Sequence, residues 1–356
     1  MTELESWYQT PDRSHGHERA GADGMRRSVR SGIIALIMIC VLLPLTGCGR
    51  SYLHIGFAQS GHESDWRTMS QDYAEEAFSK EKGFLLTVSD ADNYPPYQTE
   101  AVRDYIAGGY DRIIIDPLPS EDWTDILAEA EAAGIPVILI NRHIDGTDKY
   151  AAWYGPDYEA EGSAAGEEVL RLSGTGVSEK KEEGRGAAAG SADLSRTPVY
   201  VIEGTSGSEA GEGRLTGLRE VLGEAGLEIT ASAAGDFTID GGKAAAKELS
   251  EKMSENSILV CMNDNMALGA MAALEEAKIP YGEGSSLSIV SFNAQYSGLK
   301  AVLDGRIASD IESIPEAVLK AAEALNAGEI PGGEHPNEVR VYRKDDVTEE
   351  LLEGRR

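Results

Sequence analysis

Short apolar, β-branched runs alternate with amphipathic helical segments along almost the whole chain beyond residue 52. The pattern predicts strands over residues 53–57, 84–89, 112–116 and 136–140, with helices over 66–80, 99–107 and 123–133 between them. A loop containing Trp153 follows, then a helix over 158–172. Further strands are predicted over 198–203, 228–234, 258–262 and 288–292, each followed by a helical segment. Ile113-Ile114-Ile115 and Val137-Ile138-Leu139-Ile140 are continuous apolar runs, which suit strands buried on both faces. Strict β/α alternation predicts parallel sheets with right-handed crossovers. The expected fold class is therefore α/β, with two doubly wound parallel-sheet domains.

Charge and cysteine content narrow the function classes. The net charge is -29, and residues 1–47 carry five basic and five acidic side chains, so the whole excess lies beyond them. Such a surface repels phosphate backbones, so nucleic acid is not an expected partner. Of three cysteines, Cys40 and Cys48 fall near the N-terminus, which leaves Cys261 alone in the body of the chain. No internal disulfide, metal cluster or cofactor is expected there. Residues 174–197, rich in Gly, Ala, Ser, Lys and Glu, read as a surface insertion between a helix and a strand.

The N-terminal part carries an address. Arg26, Arg27 and Arg30 precede an apolar run, Ile33 to Leu45, that ends in Leu45-Thr46-Gly47-Cys48. Thirteen residues are too few to span a bilayer, which needs ~20, but they suit a secretory signal. The ending resembles the lipobox of bacterial lipoproteins, whose cysteine carries two acyl chains, enough for stable attachment. Residues 1–47 are read as a signal peptide with an upstream extension before Met25. Residues 48–52 are read as a lipid-anchored linker. The expected location is the extracellular face of the cell membrane, of Gram-positive type.

In open parallel sheets ligands lie beyond the carboxyl ends of the strands. The segments found there are Ser60 to Arg67, Asn141-Arg142-His143, Gly204-Thr205-Ser206-Gly207, Asp236-Phe237, Asn263-Asp264-Asn265 and Asn293-Ala294-Gln295. Arg, Asn and Gln with a few aromatics suit a polyhydroxylated ligand: planar groups pair with neighbouring hydroxyls, and a ring face covers C–H surface. Trp66 is read as ligand lining, Trp123 as packing, and Asp116 as a turn residue. Asp264 is read as the cap of the following helix, Arg214 equally as a surface charge, and His62 and His143 as solvated loop residues. Gly204-Thr205-Ser206-Gly207 lacks the ending of a nucleotide-phosphate loop. No Gly-x-Ser-x-Gly elbow or acid–base carboxylate pair stands out, so no catalytic residue and no enzyme activity is expected.

Several of these motifs in one order, Gly61 to Arg67, Asn141-Arg142, Gly235-Asp236-Phe237-Thr238 and Asn263 to Gly269, resemble the type I periplasmic sugar-binding proteins. The galactofuranose-binding type is the most similar. The resemblance runs from about Leu53 to the C-terminus and implies two lobes joined by three crossings, near Asp157, Glu312–Ser313 and Asn337. Lobe one would hold residues 53–157 and 314–337, and lobe two residues 158–313 and 338–356. By the resemblance, Arg67 and Arg142 hold ring hydroxyls, Phe237 stacks, Asn263 and Asn293 bond the ligand, and Glu312 lies at the hinge edge of the cleft. Family members usually carry aspartate at the positions of Asn141 and Asn293. That departure implies a ligand other than a plain neutral aldose, or weaker binding, because asparagine donates where aspartate only accepts. The implied function is capture of a sugar and its delivery, by a monomer, to an ABC permease and its ATPase. The alternative is sugar sensing for a receptor or histidine kinase.

Overall fold

The computed structural model of the protein describes residues 52–62, 65–174, 197–253, 256–328 and 332–355. The expected export signal, Cys48 and residues 175–196 of the expected insertion lie outside these. Among the described residues no helix is long and apolar enough to cross a membrane.

Two six-stranded sheets organise the chain. The first runs β2 (Phe84–Asp90), β1 (Leu53–Gln59), β3 (Arg112–Ile115), β4 (Val137–Ile140), β5 (Ala152–Gly155) and β11 (Gly333–Pro336), every neighbouring pair parallel. The second runs β7 (Ile229–Ala234), β6 (Val199–Glu203), β8 (Ser257–Cys261), β9 (Leu287–Asn293), β10 (Ser309–Glu312) and β12 (Val341–Tyr342). Its last pair alone is antiparallel. In both sheets the second strand met along the chain lies outside the first, so the two are doubly wound alike. This is the α/β class that the alternation of apolar runs and helices predicts.

Helices cover both faces. In the first sheet α1 (Asp65–Ala77) joins β1 to β2, while α2 (Pro95–Ala107) and α3 (Trp123–Ala133) follow. Ile113, Ile115 and Val137 pack with Val102, Trp123 and Leu127, and Ile55, Phe57, Ile138 and Ile140 form the core of the opposite face. That second face is closed by α9 (Glu316–Asn326), which inserts Ala317, Val318, Ala321 and Leu325 after the chain has completed most of the second sheet. Burying Val318 or Leu325 stabilises by ~1.5–3 kcal/mol relative to exposure, and each alanine by roughly 0.8 kcal/mol. The chain passes between sheets after β5, after β10 and after β11.

The second sheet is covered by α4 (Tyr158–Leu172), α5 (Glu209–Glu224), α6 (Ile239–Ser250), α7 (Asp264–Ala277) and α8 (Tyr296–Leu303). The α4–α5 contact is unusually close because glycines face backbone across it. A Cβ on Gly162 would lie 2.1 Å from the Arg214 carbonyl oxygen, and one on Gly217 would lie 2.0 Å from that of Glu159. This approach brings Glu161 on α4 against Arg214 on α5.

Four short strands, β5, β10, β11 and β12, occur where the sequence pattern predicts none. β10 reads Ser-Asp-Ile-Glu and β11 Gly-Glu-His-Pro. Neither offers an apolar run, and β11 tolerates Pro336 because it lies at a sheet edge.

Candidate functional site

A cleft of about 920 Å³ opens between the carboxyl ends of the two sets of strands. Loops after β1, β4, β6, β7, β8, β9 and β10 all contribute lining residues, as the strand-end rule predicts. Seven of the eight expected ligand residues line it: Trp66, Arg67, Asn141, Arg142, Phe237, Asn263 and Asn293. Glu312 does not. Its buried carboxylate, 5% exposed, accepts from Arg340 at 3.2 Å, from Tyr342 at 3.0 Å and from Arg355. Glu312 therefore ties β10 to β12 and the C-terminal segment instead of facing the cleft.

On the first-sheet side the groups converge on Asp116. Its carboxylate, 2% exposed, accepts from Ser60 Oγ at 2.7 Å, from Asn141 Nδ2 at 3.0 Å and from Arg67 Nη1. Arg142 Nη1 lies 4.0 Å from the same carboxylate and donates to the Pro117 carbonyl at 3.3 Å. Burial alone would raise the Asp116 pKa. The charges of Arg67 and then Arg142, with the bonds from Ser60 and Asn141, outweigh it and hold the carboxyl below its ordinary range. Asp116 is thus the anchor of this half, beyond the turn role its sequence suggests.

Asn141 adopts a left-handed backbone, φ 67°, and its Oδ1 accepts from the Tyr158 hydroxyl at 2.6 Å. Burial pushes the Tyr158 hydroxyl pKa upward, so that hydroxyl stays a donor. Both ends of the Asn141 amide are therefore engaged, which leaves one Nδ2 hydrogen for a ligand. An aspartate at 141 would set a second carboxylate about 3.0 Å from Asp116. Asparagine at this position follows from its neighbour.

On the second-sheet side Arg214 is the centre. It is 3% exposed, and so is buried and not on the surface. Its Nε donates to Glu161 at 2.8 Å, Nη1 to the Met262 carbonyl at 2.5 Å and Nη2 to Asn293 Oδ1 at 3.2 Å. The guanidinium also lies over the Phe292 ring, 4.7 Å from its centroid. Burial raises the Glu161 pKa, and the Arg214 charge offsets part of that rise. Sequence spacing hides Arg214 because its partner acid is 53 residues away. The signal that could reveal it is glycine at positions 162 and 166 of one helix and 213 and 217 of another, which implies close packing beside Glu161.

Phe237 also has a left-handed backbone, φ 59°, and its ring packs so tightly on Gly204 that a Cβ there would lie 2.0 Å away. Asn263 caps α7 by accepting from Met266 N at 2.9 Å, and it donates to the Phe237 carbonyl at 3.0 Å. The cap is thus Asn263 and not Asp264, which is fully buried. Trp66 lines the cleft and donates from Nε1 to the Ser313 carbonyl at 2.7 Å, which ties α1 to the chain leaving β10. Trp123 is packed, 2% exposed.

Just after β4, His143 is no free loop residue. Its Nδ1 lies 3.0 Å from Glu209 at the start of α5 and its Nε2 lies 3.7 Å from Glu334 on β11, while the ring stacks on Trp153. The bond to Glu209 raises its pKa, against a lowering by burial. His62 likewise lies 2.6 Å from Asp90.

Sequence and structure comparisons agree with this fold. The galactofuranose-binding protein YtfQ of Escherichia coli is 29% identical over 312 residues, which span 84% of this chain and 90% of that protein. A Mycobacterium smegmatis protein solved with β-D-fucofuranose is 30% identical, with TM-score 0.68 over 82% of this chain and 92% of that one. The arabinose-transporter binding protein of Shewanella sp. ANA-3, solved with arabinofuranose, is 26% identical, with TM-score 0.70 over 85% of this chain and 95% of that one. Residues 55–328 match the family described as periplasmic binding protein domain, and the chain belongs to that family.

Proposed function

We propose that the protein captures a monosaccharide, in furanose form, in the cleft and hands it unchanged to an ABC permease driven by a separate ATPase. The observation that carries this reading is the pair of arginine-centred clusters, Arg67 and Arg142 on Asp116 and Arg214 on Glu161, lining opposite sides of one cleft. Each buried carboxylate fixes a guanidinium fork, and such forks bond adjacent ring hydroxyls. Phe237 supplies a ring for the C–H face, while Trp66, Asn141, Asn263 and Asn293 surround the ring edge. The relatives whose names mention galactofuranose, fucofuranose and arabinofuranose support a five-membered ring.

In this reading lobe one is residues 53–157 with 314–337, and lobe two is residues 158–313 with 338–356. The lobes close about the three crossings, and closure is favoured only by contacts made in the closed state. Cys48 carries the lipid that keeps the protein beside its permease on the outer face of the membrane.

The test is a thermal-shift screen of residues 51–356 against L-arabinose, D-fucose, D-galactose and uronates. Binding stabilises by RT ln(1 + [L]/Kd), about 2.7 kcal/mol at a hundredfold excess. A panel in which no sugar raises the melting temperature refutes the proposal. Radiolabelled palmitate incorporation, lost in Cys48→Ala, tests the anchor.

A further inference from the structure

Behind the cleft wall lie two acids that the ligand contacts do not use. Asp264, the first residue of α7, and Asp310, on β10, are both fully buried. Asp264 accepts from Ser291 Oγ at 2.6 Å and from the Gln295 backbone N–H at 2.9 Å. Asp310 accepts from the Ala294 backbone N–H at 3.1 Å. Its other oxygen, Oδ2, meets no N–H or O–H donor among the described residues, and its side chain faces the Asp264 carboxyl. Two ionised carboxylates cannot hydrogen-bond to each other, so a proton between them is what satisfies this contact. Gly298 on α8 makes room for it: a Cβ there would lie 2.3 Å from the Asp264 carboxyl.

The segment that the two acids grip is the β9–α8 loop, Asn293-Ala294-Gln295. Its backbone is costly, with φ 108° at Asn293 and 52° at Ala294, neither of them glycine. Two of its three side chains, Asn293 and Gln295, line the cleft, and Gln295 Oε1 is a buried acceptor with no protein donor among the described residues. The bonds to Ala294 N and Gln295 N hold the loop in this conformation.

We propose that Asp264 and Asp310 share one proton and through it position Asn293 and Gln295 for the ligand, so that the hold loosens as the solution turns alkaline. The groups that face the pair agree. Arg214 from α5 is the nearby cation, and it is already matched by Glu161 from α4. The Cys261 thiol from β8 is pushed up by burial and by the Asp264 charge, so it brings no charge of its own. Glu312, two residues along β10, is matched by Arg340 and Arg355. Burial pushes Asp264 up to about 6 and Asp310 well above the carboxylate range, where the Asp264 charge adds to the rise. The two titrate as a unit, one proton being retained at neutral pH.

Two arms separate this inference from the sugar reading on which its binding consequence rests. In the unliganded protein, infrared spectroscopy is expected to show a protonated carboxyl C=O band at neutral pH that Asp310→Asn removes. Side-chain amide NMR signals of Asn293 and Gln295 are expected to shift on alkalinisation in wild type but not in Asp310→Asn, whose amide replaces the proton permanently. In the binding arm, affinity for L-arabinose is expected to fall roughly tenfold between about pH 6 and about pH 9 in wild type and to stay flat in the variant. Absence of the band at neutral pH, or amide signals that ignore pH, overturns the inference. If the variant does not fold, the wild-type band and signals decide. If no sugar binds while the band and shifts are seen, the sugar reading fails and the proton-sharing loop stands.

Discussion

The Arg214–Glu161 pair offers the sharpest separation of stability from binding. Both side chains are almost wholly buried, at 3% and 2% exposure. Arg214→Met leaves Glu161 in a low-dielectric site without its cation and also removes the donors to Met262 O and Asn293 Oδ1. Removing one member of a buried pair costs about 3–5 kcal/mol, which at about 2–4 °C per kcal/mol lowers the melting temperature by roughly 6–20 °C. Replacing both members with apolar residues of similar volume removes the orphaned charge, and such changes are often neutral. The double variant Arg214→Met, Glu161→Leu is therefore expected to recover most of the lost stability. It is not expected to recover sugar affinity, because the guanidinium that the proposed function assigns to the ring is gone. Differential scanning calorimetry of wild type, Arg214→Met and the double variant, with calorimetric titration of L-arabinose into each, reads both effects. A single variant that melts within about 2 °C of wild type, or a double variant no better than the single, refutes the ion-pair argument.

Other expectations follow from the same geometry. Asn141→Asp places a carboxylate about 3.0 Å from Asp116. The new acid must hold a proton in the folded state, so its folded pKa is raised and the variant's stability deficit grows as pH rises above the unfolded carboxyl value. Melts at about pH 5 and about pH 8 check this, and a deficit independent of pH counts against it. Phe237→Ala is expected to weaken sugar binding roughly two- to tenfold, measured by titration calorimetry. His143→Gln tests the bridge to Glu209. Its pKa is raised in the fold, so the stabilisation is fully present below about 6.5 and is lost as pH rises through the higher folded value. The wild-type advantage over His143→Gln in melting temperature is therefore expected at acid pH only.

The sheets were legible because β3 and β4 are unbroken apolar runs and because turn and helix signals separate the inner strands cleanly. The edge strands were not. In β10 the outward pattern is replaced by Asp310 and Glu312, buried acids whose partners come from β12, the C-terminal segment and α7. The site divides the same way. Asn141, Arg142 and Phe237 sit just after strands and Arg67 on the first turn of the helix after β1, where the topology alone places them. Arg214, Tyr158 and Asp116 take their meaning from contacts between distant segments, such as Arg214 with Asn293 across 79 residues. Glu312 shows the converse: an acid beside the cleft in sequence can bond within the scaffold, here to Arg340, Tyr342 and Arg355.

The return of α9 and β11 to the first sheet has a consequence for how the molecule is made. Ile55, Phe57, Ile138 and Ile140 arise early in synthesis, yet α9, which covers that face together with α1, begins only at Glu316. A polypeptide made N-terminus first therefore leaves part of that greasy surface uncovered until nearly all of it has been synthesised. A truncated product lacking its last forty residues would present a ready target for proteolysis.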